Sequence, residues 1–241
     1  MAEVLFQIRA GVLSGVNITI PYKETVIPFL DGLTPVALDT GAVNTVFKQG
    51  DHLVGDNTDV TGFGLDLLDC GLDYLSNPGW ALVLGAGGAA RAVVYTLAMA
   101  GWKVTIAARR PDQAETLSRD IQRHLHTDAP SPVMLSGTAL KGCADEFALI
   151  ANTTPLGMAP NANTSPWPQD IKFPTHWFIY DLVYNPPETV FLHQAYTAGL
   201  ATRNGLGMLV RQAAASFERW TGMVSPFGAM WNTVDEFRFR S

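Results

Sequence analysis

Short strand-like runs, apolar or alternating, punctuate this chain at intervals. Val16 to Ile20 is the first, rich in β-branched residues and broken at Pro21. Such a run predicts a pleated, half-buried strand, with the proline placed to open a helix. Lys23 then falls in that helix's first turn, where the macrodipole disfavours a cation. Ala81–Leu84, Lys103–Ala107, Phe147–Ala151 and Trp177–Tyr180 repeat the apolar pattern. They predict strands covered on both faces, as in a parallel sheet. Between the first two, Ala89–Ala100 reads as a helix stopped by Gly101. Near the C-terminus Arg211–Thr221 reads as another, with Ala213, Ala214, Phe217 and Trp220 on one apolar face and Gln212 offset from it.

The turn between Leu84 and Ala89 carries the most specific signal. Gly85, Gly87 and Ala90 fill the G-x-G-x-x-G/A positions, with Gly88 extra. The glycines serve a tight turn and let a pyrophosphate approach the amides of the helix N-terminus. Because the motif follows a strand and opens a helix inside a complete βαβ unit, it predicts dinucleotide binding on a Rossmann-type, doubly wound parallel sheet. At the end of the second strand an acidic residue would accept the ribose 2′-hydroxyl of NAD. This chain instead offers Ala107, Ala108, Arg109 and Arg110. Two guanidiniums suit a 2′-phosphate, so the expected cofactor is NADP.

Asn152, Thr153 and Thr154 follow the third strand, and Asp181 to Tyr184 follow the fourth, leading into the turn at Asn185, Pro186 and Pro187. Open α/β sheets place ligands at such carboxyl ends. Outside this unit lie three polar constellations: Lys23, Asn44, and the cluster Asp56, Asn57, Thr58 and Asp59. Asp56 or Thr58 suits the cap of a helix beginning near Thr61. Lys23, Asn44 and Asp59 together form a polar set able to hold a hydroxylated substrate against a nicotinamide.

The runs GVNITIPYKE, GAVNT, GDNTDVTGF, GAGGAARA, NTTPLGM and NGLGMLVRQAAASFERWTG, in that order from Gly15 to Gly222, resemble the shikimate dehydrogenase family. The resemblance implies reversible NADPH-dependent reduction of 3-dehydroshikimate to shikimate, a step towards chorismate and the aromatic amino acids. It implies Lys23 and Asp59 as the catalytic pair. Thr19, Asn44 and Gln212 bind substrate hydroxyls and carboxylate, with Tyr184 a further contact. It assigns Gly85, Gly87, Gly88, Ala89, Arg109 and Arg110 to the cofactor, Asn152 and Thr153 to the ribose side, and Leu182, Gly205 and Met208 to the nicotinamide. Lys23 has two open roles: cycling a proton, or staying charged beside a developing alkoxide while Asp59 or water manages the proton.

Family members begin with a strand, a Ser-x-Ser substrate loop and a helix. This sequence opens on AEVLFQIRAGVLSG, which resembles that helix, so the two serine hydroxyls are missing from the expected substrate set. Ala108 replaces an asparagine and Gln113 an arginine common in relatives; Arg110 compensates. Two alternatives stand beside the main reading: a quinate/shikimate-type dehydrogenase of related specificity, and a cofactor-binding form without turnover.

The expected organisation is a Rossmann-type domain over residues 60–202 and a smaller, split α/β substrate domain from 1–59 and 203–241. The 241 residues suffice for this, and 47% hydrophobic with 16% charged residues is a globular profile. A net charge of −6 with scattered arginines argues against nucleic-acid or anionic-membrane surfaces. Cys70 and Cys143 lack disulfide or zinc spacing and the five histidines lack ligand spacing, so no metal is expected and a reducing cytoplasm fits. A homodimer is expected. "HTDAPSP", from His126 to Pro132, reads as an exposed loop.

Overall fold

The computed structural model describes residues 1–125, 128–137, 148–168, 171–173 and 176–238. Two sheets organise them. The larger has six parallel strands: β5 (Trp80–Leu84), β6 (Lys103–Ala108), β7 (Ser131–Met134), β8 (Leu149–Asn152), β9 (Phe178–Asp181) and β10 (Ala201–Asn204). Their spatial order is β10-β9-β8-β5-β6-β7. The chain winds outward from β5 in one direction and from β8 in the other. The strand order therefore reverses between β5 and β8, which opens a crevice at their carboxyl ends.

Alternation along β5 explains its apolar run. Ala81 and Val83 join a core under α3 (Thr58–Asp69), α4 (Gly88–Met99) and α5 (Pro111–Leu125), with Phe63, Val93, Leu97 and Leu117. Leu82 and Leu84 face the opposite core, with Ile150, Trp167 and Phe191 of α6 (Val190–Thr197). Both faces are buried, as the doubly wound reading requires. Gly85 leaves β5 at φ +110°, beside Thr153 and Thr154, a conformation that favours glycine.

The smaller sheet runs β1-β3-β4-β2, with β1 (Gly15–Asn17), β2 (Gly32–Leu33), β3 (Thr45–Gln49) and β4 (His52–Asp56). Only the β2–β4 pair is parallel. Its core joins Leu5 and Ile8 of α1 (Ala2–Arg9) to Val26, Val46 and Leu53, with α2 (Pro35–Thr40) contributing Ala37. Helix α7 (Leu206–Thr221) leaves the large sheet and returns to this one, where the Trp220 indole donates to the Val46 carbonyl at 3.2 Å. Helix α8 (Phe227–Arg238) follows.

Three expectations need correction. No helix opens at Pro21: β1 ends at Asn17 and the chain passes through turns to a 3₁₀ segment at Ile27–Phe29. Pro28 has no N–H to donate to Glu24, so a helix entering from Pro21 cannot run on past Ile27. Helix α3 starts at Thr58, after Asn57, without a side-chain cap. Asp56 instead accepts from the Thr34 hydroxyl at 2.6 Å and from Arg219 Nε at 2.7 Å. Ser131 and Pro132 belong to β7, paired with Thr105 and Ile106, and not to a loop. His126, Cys143 and Phe147 lie outside the described residues.

Candidate active site

The polar cluster is assembled from four separate pieces of chain. Lys23 comes from the turn after β1, Asn44 from the approach to β3, Asp59 from the first turn of α3, and Gln212 from α7. The Lys23 ammonium is paired with Asp59 Oδ2. Their side chains are 12% and 7% exposed, so water screens the pair weakly.

Asn44 holds the other carboxylate oxygen. Its Oδ1 accepts from the Thr58 amide at 2.7 Å and from the Thr58 hydroxyl at 3.1 Å. Nδ2 donates to Asp59 Oδ1 at 2.8 Å, and Thr58 Oγ1 at 2.9 Å and Gln212 Oε1 at 3.2 Å share its second hydrogen. Behind Asn44 lies a buried hydroxyl cluster. Ser216 Oγ is 2.6 Å from Thr45 Oγ1 and 3.0 Å from Thr58 Oγ1, and Asn17 Nδ2 donates to Ser216 at 3.0 Å.

Lys23, Asn44, Asp59 and Gln212 form one wall of a cleft of about 500 Å³ between the sheets. Thr19, Lys23, Asn44, Asp59, Tyr184 and Gln212 line it, and so do Ala89, Thr153, Leu182, Gly205 and Met208. The remaining expected cofactor residues lie outside this lining. Gly85, Gly87 and Gly88 form the turn at the head of α4, and Arg109 and Arg110 stand exposed after β6. Asn152 is buried: its Nδ2 donates to Asp181 at 2.8 Å and its Oδ1 accepts from the Thr154 amide and hydroxyl. It braces the loop between β8 and the cleft. Thr153 Oγ1 is bound to the Leu84 carbonyl at 2.7 Å.

Asp181 closes the floor of this region. It accepts from Asn152, from the Val183 amide at 3.0 Å and from Thr189 Oγ1 at 2.6 Å. Burial outweighs these donors and raises its carboxyl to about 6. A second buried cluster joins α3 to the large sheet: Asp66 binds Arg203 and accepts from Tyr180 Oη at 2.6 Å. Burial and the neighbouring carboxylate push the Tyr180 phenol well above its ordinary range.

The head of α4 suits a dinucleotide. The helix starts at Gly88, after Gly87 and with no side-chain cap, and a Cβ on Gly87 would meet only open space. Its first amides are free of side-chain acceptors, the setting for a pyrophosphate. No group of three His, Cys, Asp or Glu suited to a metal occurs among the described residues. No helix among them is long and apolar enough to cross a membrane.

The family model for the shikimate dehydrogenase substrate binding domain matches residues 1–46, and that for the shikimate 5'-dehydrogenase C-terminal domain matches residues 205–234. The shikimate dehydrogenase (NADP(+)) of Salinibacter ruber is 42% identical over 237 residues, which are 97% of this chain and 82% of that protein. The chain belongs to the shikimate dehydrogenase family. Among solved relatives, shikimate 5-dehydrogenase from Thermus thermophilus in complex with NADP(H) and shikimate superposes with a TM-score of 0.82 at 36% identity. It spans 95% of this chain, which in turn covers 81% of it. Quinate dehydrogenase from Corynebacterium glutamicum in complex with NAD superposes with a TM-score of 0.84 at 30% identity, over 98% and 82% of the two chains. Residues that the reading of the sequence missed are Asn17, Thr45 and Ser216, which form the hydrogen-bonded cluster behind Asn44. Two had a signal: Asn17 shares a strand face with Thr19 by period two, and Ser216 lies four residues beyond Gln212 on α7.

Proposed function

We propose that the chain is an oxidoreductase that interconverts 3-dehydroshikimate and shikimate with NADPH and NADP. The observation that carries this reading is the shielded Lys23–Asp59 pair on a cleft shared with the head of α4, in a member of the shikimate dehydrogenase family. Residues 1–59 and 203–241 act as the substrate lobe and 60–202 as the NADP lobe, with Arg203 and Asn204 still completing β10 of the large sheet, and the cleft lies between the lobes.

NADP, when bound, supplies the hydride-transfer chemistry. Gly85, Gly87, Gly88 and Ala89 would hold its pyrophosphate, Arg109 and Arg110 its 2′-phosphate, Asn152 and Thr153 the ribose side, and Leu182, Gly205 and Met208 the nicotinamide. Thr19, Asn44, Tyr184 and Gln212 orient substrate hydroxyls and carboxylate. Oxidation of an alcohol also releases the hydroxyl proton, which a positioned group must take and return. Lys23 carries three donors and Asp59 only acceptors, so the pair either shuttles this proton or holds a positive charge at the oxygen. The substrate oxygen would lie beside Lys23 Nζ in either case.

The test is the appearance of NADPH absorbance when purified protein meets shikimate and NADP; no turnover at any substrate concentration defeats the reading. Likeness to quinate dehydrogenase favours one second reading, quinate oxidation with NAD, which the same assay separates. The cysteine usage fits a reducing cytoplasm. A homodimer is the expected state, and sedimentation reports it.

A further inference from the structure

The third glycine of the turn, Gly88, and the arginine one helical turn later, which has no role in the scheme above, both touch the segment that carries Lys23. A Cβ built on Gly88 would stand 2.9 Å from Lys23 Cβ and 3.1 Å from its Cδ, so the lysine stem lies directly against the head of α4. Arg91, three residues on and thus on the same helix face, is buried, with only 7% of its side chain exposed. Its Nε lies 3.3 Å from Oε2 of Glu24, the residue next to Lys23, an ion-pair contact without hydrogen-bond geometry. Its Nη1 donates to the Thr40 carbonyl at 3.1 Å and to Asp120 Oδ2 at 3.0 Å. The turn is gripped from the other side as well, since the Lys23 carbonyl accepts from the Val43 amide at 2.8 Å.

A guanidinium is rarely buried without a purpose that offsets its desolvation. This one belongs to the large lobe, but two of its three partners belong to the small lobe. We propose that Arg91 is a positioning residue for Lys23. Through Glu24 and Thr40 it clamps the Lys23 turn onto the face of α4 that Gly88 leaves bare. The helix whose head is suited to the cofactor thereby also sets the place of the ammonium. Arg91 does not touch the cleft, so its effect passes through Lys23.

This inference rests on the reading of Lys23 as the proton-handling group, and its test separates the two. Glu24 is 48% exposed, so Glu24→Gln removes the ion pair with little risk to folding. Arg91→Lys keeps a charge but not the three-way grip. The first measurement needs no turnover: acetylation of Lys23 by an N-hydroxysuccinimide ester in cofactor-free protein, followed by peptide mass spectrometry. Loosening the seat raises that rate by about threefold or more in both variants. The second is steady-state kinetics. Because small displacements of a catalytic group cost rate, kcat falls by about 3- to 10-fold in Glu24→Gln and about 10- to 100-fold in Arg91→Lys, with KM for NADP near wild type. Wild-type Lys23 reactivity and kcat in both variants overturn the proposal. Inactive wild-type protein defeats the functional reading instead, and the acetylation rates still decide the clamp.

Discussion

Asn44 Nδ2 stands 2.8 Å from Asp59 Oδ1, while the opposite oxygen of that carboxylate meets Lys23. Asp59 is thus held from two sides by groups from different segments, and its orientation is decided before any substrate arrives. Asn44→Ala removes one side and leaves the buried Thr58 amide without its acceptor. The expected cost is roughly 1–3 kcal/mol in urea unfolding, with a loss of turnover besides.

Lys23→Ala addresses the other side. Turnover falls by roughly 10² to 10⁴, the range for a proton-transfer group. Calorimetric titration with NADP should give a Kd near wild type, because the expected cofactor residues are left intact. Near-normal turnover would remove Lys23 from the chemistry.

Arg109 and Arg110 stand exposed after β6, with no acidic residue between them and the strand. A charge-assisted bond to a phosphate contributes about 1.5–3 kcal/mol, so replacing each by alanine raises KM for NADP by about 10- to 100-fold. KM for NAD stays put, since that cofactor lacks the 2′-phosphate. Equal losses with both cofactors would show that the arginines serve something else.

Asp66 is fully buried and balanced by Arg203, whose side chain is 28% exposed. Arg203→Ala leaves an unpaired carboxylate under α3. Chemical denaturation should show a loss of about 3 kcal/mol, the lower end for a broken buried pair because water reaches the arginine.

Asp181 gives a pH signature of known sign. Its carboxyl is raised from 3.8 to about 6 in the folded chain. Between these values the folded state keeps a proton that the unfolded state has lost, so stability falls as pH rises through this window. The decline is on the order of 3 kcal/mol when complete. In a thermal-unfolding series Asp181→Asn should flatten that slope, and an unchanged slope would assign it to other groups.

The large sheet and its glycine turn were legible because local pattern and packing agree there. Ala81–Leu84 is apolar on both faces since both faces are covered, and Gly85 is needed by a backbone angle that belongs to the turn itself. The turn around Lys23 was not legible in the same way. Its expected helix is absent, and what holds it is a carbonyl bond to Val43 and an ion pair from Glu24 to Arg91, 67 positions away in sequence.

By itself, then, the sequence determined the buried strands β5, β6, β8 and β9 of the large sheet, the glycine turn after β5, and which charged and amide groups exist to do chemistry. All of these follow from near-neighbour sterics and from the period of apolar positions. Only the tertiary structure decided that Thr45, Thr58 and Ser216 share one buried hydroxyl cluster, to which the exposed Asn17 amide donates, and that α4 carries the lysine's seat. Those juxtapositions arise where the two sheets pack together, and no local rule encodes a contact between segments so far apart.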